Sequence, residues 1–395
     1  MINNILEIDN CTGCGACVDK CPYNAIKLRV EKTGSRLPAV DSKKCVSCGL
    51  CKKTCPNLNT MATQLYEDKS FIGFYKNKEI ADQSSSGGVF AAVAKHFLEK
   101  HAVVYGAAMV YENDRLNCKH IRIDDVDDLR LLQGSKYVQS HTEGIFNEVK
   151  RDLDNGRLVL FSGTSCQIAG LRSFIGNNEN LFLIDLVCHG VPKDRVFADY
   201  VDYVEALYNC KLVNMSFRAK GETYAGVEMP YFIKMEFKKG DNVSFEVAAP
   251  KPKSSYYNLF LARAGYRESC YVCKYATIKK PSDITLGDFR PNGEELIKYG
   301  LDDRLSYSSI IVHNDKGYEL LKSISEWCFA LEIPVVEMLK HHLNMQKPSE
   351  TSNAGILMYQ LYLNGGFAKL HRYVKRNYLK ANLVRRVKKA FRVRV

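Results

Sequence analysis

The chain has 395 residues, enough for two or three domains with sizeable cores, and its 46% apolar and 25% charged content is that of a globular protein. Fifteen cysteines exceed what packing asks for, and the opening MINNILEIDNC has neither the basic nor the apolar region of a secretory signal. Metal binding in a reducing, cytoplasmic setting is therefore expected rather than a disulfide framework. The net charge of +12 is local: Lys369 to Arg394 supplies eleven basic residues, and without them 45 basic residues face 44 acidic ones.

Two runs dominate the first sixty residues, CTGCGACVDKCP (Cys11 to Pro22) and CVSCGLCKKTCP (Cys45 to Pro56). Both read C-x2-C-x2-C-x3-C-P, the spacing of two-cluster bacterial ferredoxins. Three cysteines two residues apart wrap three corners of a cube, with Gly13, Gly15 and Gly49 permitting the tight backbone. The fourth is turned by the following proline toward the other cube. One 4Fe-4S cluster is thus assigned to Cys11, Cys14, Cys17 and Cys55, and the other to Cys45, Cys48, Cys51 and Cys21. A pair of zinc sites is the competing reading, since C-x2-C also binds zinc, but the doubled pattern with both prolines favours clusters. The segment between, IKLRVEKTGSRLPAV, reads as a hairpin turning at Gly34.

Beyond Met61 the pattern alternates between strand and helix. Ala102 to Val110 is expected as a strand, Thr142 to Leu153 as an amphipathic helix, and Leu158 to Phe161 as a short buried strand. The apolar stretch from Val89 to Tyr111 is interrupted by Lys95, His96, Glu99, Lys100 and His101, which excludes a membrane span there. SGTSCQIAGLR then carries Cys166 into a helix start, and the next strand, Leu181 to Val187, runs into Cys188 and His189. Both cysteines thereby follow the carboxyl ends of parallel strands, where open α/β sheets place their ligands. YFIKMEFKKGDNVSFEV reads as an antiparallel hairpin, Tyr256 to Ala264 as helix, ESCYVCKYA contributes Cys270 and Cys273, and Asp283 to Phe289 is a strand. Alone, Cys166 reads as a small buried hydrophobe, and the C-x2-C is open to zinc, redox or cluster chemistry. Together the four form a complete thiolate set for a third 4Fe-4S cluster. Cys118, Cys210 and Cys328 read as packing residues.

QSSSGGVFAAVA (Gln83 to Ala94), LLQGSKYVQS (Leu131 to Ser140), FSGTSCQIAGLR, LIDLVCHGVP and CYVCKYATIKKPSDITLGDF together resemble the family of coenzyme F-420 hydrogenase/dehydrogenase beta subunits, in order, from about Phe71 to Val312. An N-terminal ferredoxin fusion is similar to many members. The resemblance implies a flavoprotein that exchanges electrons between iron–sulfur clusters and a deazaflavin or another two-electron acceptor. It also implies that Cys166, Cys188, Cys270 and Cys273 bind a 4Fe-4S cluster, and that FAD lies near Ser84, Ser85, Ser86, Gly87 and Gly88, near Gln133, Gly134, Ser135, Lys136 and Tyr137, and near Gly163 and Thr164. Serine- and glycine-rich turns opening a helix can present N–H groups and hydroxyls to a phosphate, although QSSSGG is also an ordinary helix cap. Lys136 and His189 are the candidate catalytic residues: Lys136 to neutralise a pyrophosphate or a reduced flavin, His189 to relay a proton or simply to cap a strand end. No G-x-G-x-x-G follows a strand, which argues against the usual dinucleotide fold. Family members usually carry proline where Ser165 stands.

The expected architecture is α+β or α/β: a two-cluster ferredoxin domain (1–64), a flavin- and iron–sulfur-binding α/β domain (65–330), and a basic helical C-terminal tail (331–395). The expected activity is that of an oxidoreductase relaying single electrons through FAD to a deazaflavin coenzyme or a metabolite, with surface-polysaccharide biosynthesis among the settings of similar bacterial proteins. The alternative is a non-catalytic electron-transfer subunit that feeds a separate enzyme. Either reading needs a redox partner, a ferredoxin or another oxidoreductase subunit, in an anaerobe's cytoplasm. In the tail, Leu379, Leu383, Val387, Ala390 and Phe391 recur at helical spacing among Lys380, Arg385, Arg386, Lys388, Lys389 and Arg392. This suits peripheral contact with an anionic membrane at its inner face; a solvated end or docking to an acidic ferredoxin are the other readings, and nothing accompanies it that reads nucleic acid.

Overall fold

A computed structural model describes residues 10–59, 68–220, 223–224, 227–228, 232–240, 243–250 and 253–392. The ferredoxin region carries one hairpin, β1 (Ile26–Val30) paired with β2 (Arg36–Val40), turning through Gly34 as the sequence indicates. The body is built on an eight-stranded mixed sheet. Its strands are β3 (Lys69–Tyr75), β4 (Val103–Glu112), β5 (Arg115–Ile123), β6 (Val159–Thr164) and β7 (Leu181–Leu186). A smaller antiparallel sheet follows, from β8 (Lys211–Ala219), with the two-residue pair β9 (Thr223–Tyr224) and β10 (Val227–Glu228) beside it, to the expected hairpin of β11 (Phe232–Lys239) and β12 (Val243–Pro250). The large sheet is completed by β13 (Ile284–Phe289), β14 (Tyr307–Val312) and β15 (Cys328–Ile333), in the order β15-β3-β14-β13-β7-β6-β4-β5.

Pairing within the set β13, β7, β6 and β4 is parallel, and β14 is antiparallel to both β13 and β3. The carboxyl ends of β3, β4, β6, β7 and β13 therefore open on one edge. The central strands are buried along nearly their whole length (β14 throughout, β6 except at Thr164), because both sheet faces are covered. On one face the helix Val89–Glu99 lays Val89, Ala92, Val93 and Phe97 against Val104, Leu160, Ile184 and Ile310. On the other, the helices Ile145–Asp154 and Ser165–Ile175 enclose Tyr105, Phe161 and Leu183. Cys14 and Ala16 of the ferredoxin region belong to that second core, so the two domains share one apolar interior.

At the C-terminal side, β15 pairs with β3 from Cys328 to Ile333, which carries the large sheet past the 330 boundary read from the sequence. The tail then forms helices, the last spanning Gly366–Arg392. Its start is anchored: Phe367, Leu370 and Val374 are buried beside Tyr200, Tyr256 and Tyr362. The side chains of the amphipathic face expected beyond Lys380 lie outside the described residues. No helix among the described residues is long and apolar enough to cross a membrane.

Candidate functional site

Cys11, Cys14, Cys17 and Cys55 line one cavity, walled by Leu28, Pro38 and Pro56. That is the crosswise grouping the spacing demands. Gly13, Gly15 and Gly49 all take left-handed φ (65°, 82° and 76°), which keeps the turns between the cysteines tight. Main-chain N–H groups point at sulfur: Gly13 donates to Cys11 Sγ at 3.5 Å and Ala25 to Cys21 Sγ at 3.4 Å. Cys51 feels both Cys48 and Cys21, the second crosswise grouping, and Cys45 heads the same loop. Burial pushes the Cys14 thiol up to about 12, with Cys11, Cys166 and Cys55 adding to the rise.

The two ferredoxin groupings differ in depth. Cys14 is buried against the body, while Cys48 is exposed at the far side. Cys17 feels both Cys14 and Cys51, so the groupings adjoin.

The third set assembles at the carboxyl edge of the sheet. β6 delivers Cys166 into the first turn of the Ser165–Ile175 helix, where Thr164 and Gln167 form a capping box: the Thr164 N–H donates to Gln167 Oε1 at 3.0 Å. β7 delivers Cys188, and the short helix Glu268–Tyr271 delivers Cys270 just ahead of Cys273. Burial raises the Cys188 thiol, and Cys270, Cys166 and Cys273 all raise it further, so the four stand together. Each of three sulfurs already has a donor or hydroxyl partner: Gly190 N–H to Cys188 at 3.3 Å, Val191 N–H to Cys270 at 3.5 Å, and Thr164 Oγ1 to Cys166 at 3.2 Å. Gly190, at φ 115°, is needed here, since a Cβ would meet the Tyr266 ring at 2.4 Å. Four thiols with main-chain N–H groups and a hydroxyl aimed at sulfur are the donor type that a 4Fe-4S cluster takes.

One helix joins the inner ferredoxin set to the third. Four residues after Cys166, Gly170 faces Cys14 so closely that a Cβ would lie 2.9 Å from its sulfur. Tyr275 is wedged beside both sets; burial raises its hydroxyl well above the usual range, and Cys166, Cys14, Cys273 and Cys55 add to the rise. The ferredoxin region is fixed in place by Asp19, whose carboxylate accepts from the N–H groups of Gly144 (2.7 Å) and Phe146 (2.9 Å) at the start of a body helix. Thr142 Oγ1 donates to the Cys14 carbonyl at 2.9 Å.

The loops expected to hold flavin meet at the same edge. Gln133 Nε2 donates to Ser84 Oγ at 3.1 Å and the Ser135 N–H to Ser85 Oγ at 2.6 Å. The serine hydroxyls are less available than the sequence implies: Ser84 donates to the Ile80 carbonyl and Ser86 to that of Tyr307. Gly87 is packed on protein rather than open, a Cβ there meeting the Gly73 carbonyl at 2.6 Å. Gly163 is likewise enclosed, by Gln167, His120 and Phe161. What fits a phosphate is main chain and cation. No side chain caps the Val89–Glu99 helix. Half-buried Lys136, held by the carbonyls of Leu131 (3.1 Å) and Gln133 (2.7 Å), is drawn down to about 8 by desolvation. Gly134 is open, and Tyr137 stacks on Phe260 with ring centroids 4.3 Å apart. Lys220, which the motifs did not flag, reaches the same loop at the Ser86 carbonyl, 3.5 Å away.

His189 is exposed just beyond β7; its carbonyl accepts from the Ser349 hydroxyl, and its ring makes no hydrogen bond among the described residues. Below Cys166, Ser165 donates to the fully buried Asp185, which also accepts from Ser282 at 2.8 Å and from Thr285. Asp185, Gly170 and Tyr275 lie inside the quoted motifs without a role read from them there, and the buried Arg267 lies outside every motif.

Crosswise cysteine sets stacked against a third set on an α/β sheet define an iron–sulfur electron-transfer protein. Residues 10–58 match the 4Fe-4S dicluster domain, residues 70–146 the N-terminal part of the coenzyme F420 hydrogenase/dehydrogenase beta subunit, and residues 156–332 the C terminus of that same beta subunit. The chain belongs to the family of coenzyme F420 hydrogenase/dehydrogenase beta subunits, fused to a dicluster ferredoxin domain. It is 24% identical over 213 residues to a subunit of the F(420)H(2) dehydrogenase of Methanosarcina mazei, covering 50% of this chain and 60% of that one. It is also 24% identical over 329 residues to the coenzyme F420-dependent sulfite reductase of Methanocaldococcus jannaschii, covering 82% of this chain and 47% of that protein. The chain thus spans about half to three fifths of these relatives. Among solved structures it aligns with a chain of the F420-reducing [NiFe] hydrogenase complex of Methanosarcina barkeri, in its xenon-derivatised form, at a TM-score of 0.42 and 15% identity, covering 77% of this chain and 97% of that one.

Proposed function

We propose that this chain is an electron-transfer oxidoreductase subunit that takes single electrons at its exposed ferredoxin cluster and delivers them in pairs at the carboxyl edge of the sheet. Cys45, Cys48, Cys51 and Cys21 hold the outer 4Fe-4S cluster, Cys11, Cys14, Cys17 and Cys55 the inner one, and Cys166, Cys188, Cys270 and Cys273 a third. The observation that carries the reading is the Cys14–Gly170 approach, which sets the inner ferredoxin ligands against the helix that starts at Cys166. FAD, when bound among Ser84–Gly88, Gln133–Tyr137 and Gly163–Thr164, supplies the conversion between one-electron and two-electron chemistry. Lys136 and Lys220 neutralise anionic charge there, the opening turn of the Val89–Glu99 helix contributes N–H groups, and His189 exchanges a proton with solvent beside the third set.

The two-electron partner is a deazaflavin coenzyme or a metabolite, surface-polysaccharide precursors included, and a partner subunit supplies or removes electrons at the outer cluster. The Methanosarcina mazei relative, itself one subunit of a dehydrogenase, supports work within a complex. Anaerobically purified protein is expected to carry about twelve irons per chain and Cys166→Ala about eight, with flavin reduction by viologen sharply slowed in the variant. Eight irons in the wild type, with neither iron nor rate altered in Cys166→Ala, would return Cys166 to packing. Turnover by the lone chain with deazaflavin or NAD(P)H favours an enzyme in its own right, and turnover that needs a neighbouring subunit points to a feeder.

A further inference from the structure

One cation is buried where the inner ferredoxin set meets the third set. Arg267 is 1% exposed. On the ferredoxin side its Nη2 donates to the carbonyls of Cys11 (3.4 Å) and Arg36 (2.9 Å); on the body side its Nη1 donates to Asp194 at 3.3 Å. Its main chain belongs to the third set. The Arg267 N–H donates to the Val191 carbonyl at 3.0 Å, its own carbonyl accepts from Cys270 N–H at 3.0 Å, and Val191 in turn donates to Cys270 Sγ. Gly13 makes room for the guanidinium, since a Cβ there would lie 2.7 Å from Nη2.

A junction that only docks two domains does not need this. Burying an arginine costs several kcal/mol before its partners offset it, and an apolar pair of similar volume commonly does as well. Among the described residues Nε is buried with no partner, and the one carboxylate paired with the guanidinium, Asp194, is shared with Arg36 and His141. The positive charge is therefore incompletely cancelled beside the cysteines. Its guanidinium is bonded to the Cys11 carbonyl, and its main chain is bonded to Cys270 and to Val191, whose N–H donates to the Cys270 sulfur, so the charge lies beside sulfurs of both sets. A cation that favours negative charge on those sulfurs also favours an added electron on the iron they bind.

We propose that Arg267 is a positioning and potential-setting residue, holding the inner ferredoxin cluster and the Cys166–Cys188–Cys270–Cys273 cluster together and raising the reduction potentials of both. Each seam cluster then accepts one electron from the outer side and passes one on, with no bond made and no proton moved. The third cluster's share of this rests on the function proposed above.

The test is redox titration, followed by electron paramagnetic resonance, of the full chain purified without oxygen. Arg267→Gln is expected to keep its iron and shift the two seam clusters to more negative potentials, leaving the outer cluster in place. Arg267→Lys keeps the charge and should keep the potentials, while losing the fork that spans Cys11, Arg36 and Asp194 and slowing transfer between clusters. Asp194→Asn, which removes the opposing charge, should shift the same clusters the other way. It decides the matter if Arg267→Gln fails to load. Unchanged potentials in loaded Arg267→Gln, equal shifts at seam and outer clusters, or no shift in Asp194→Asn overturn the proposal. A wild type with about eight irons would sink the third cluster alone, and Arg267 would then be judged on the inner ferredoxin cluster.

Discussion

Gly170→Ala places a methyl group between the helix that starts at Cys166 and the buried Cys14. In a helix interior Ala is worth about 0.5–1 kcal/mol more than Gly, so with free space around it the substitution would stabilise. Space is lacking: the new Cβ would sit 2.9 Å from Cys14 Sγ, 3.0 Å from its Cβ and 3.4 Å from the Phe146 ring. Cys14 cannot swing aside while it serves a cluster, and overpacking of this kind costs about 1–3 kcal/mol. The expected net is a loss of about 1–2 kcal/mol, or outward displacement of the ferredoxin domain. Gly293→Ala is the control, because Gly293 opens the helix Gly293–Tyr299 with nothing within 4 Å of its Cβ position. Thermal inactivation, iron per chain and the rate at which viologen electrons reach the proposed third cluster are to be measured for both. Gly170→Ala should unfold earlier and transfer electrons more slowly, and Gly293→Ala should match or slightly exceed the wild type. A Gly170→Ala protein stabilised by the full helix gain, with iron and rate intact, would mean that the helix does not bear on Cys14.

Three further outcomes are expected. Because desolvation draws Lys136 down to about 8, its cation is lost from the flavin-free protein as pH rises through that value; binding of an anionic flavin should weaken from pH 8 upward, and Lys136→Met should bind weakly with no such slope, as read by fluorescence titration. Ser165→Pro puts proline at a first helical position, which accepts it, but strips Asp185 of one donor and Lys280 of its 3.2 Å partner, so a net loss of about 1–2 kcal/mol is expected in urea titration, and a gain would contradict the role given to that hydroxyl. Truncation after Lys380, which spares the buried Leu370 and Val374, should abolish co-sedimentation with anionic vesicles; unchanged co-sedimentation would remove the membrane from the account.

The cysteine runs were legible because their spacing is itself the geometry: three thiols two residues apart with left-handed glycines between them, and a fourth turned away by proline, leave few ways to fold. The strands ending at Cys166 and Cys188 were legible for a related reason, since short apolar runs buried on both faces are distinctive and their ends are marked by turn residues. The phosphate reading of QSSSGG was legible only in part. A serine- and glycine-rich turn looks the same whether its hydroxyls face a ligand or, as Ser84 and Ser86 do, the carbonyls of Ile80 and Tyr307. The tail boundary fell at 330 because β15, an exposed edge strand with alternating burial, carries a weak pattern that only its pairing with β3 defines.

What no motif could mark is the junction itself. Arg267 meets Cys11, Arg36 and Asp194 across separations of 256, 231 and 73 residues, so its neighbours exist only once the chain has closed. Gly170 looks like a poor helix residue until Cys14 is placed against it. Ser165 looks like a loosened turn until Asp185 is found beneath it. In each case a residue that local propensity disfavours, or that desolvation penalises, stands beside a cysteine of a ligand set. Conflicts of that kind persist where a fold serves something besides its own stability. Here they concentrate along the line from Cys14 to Cys166, the stretch over which the proposed electron path leaves the ferredoxin domain for the sheet.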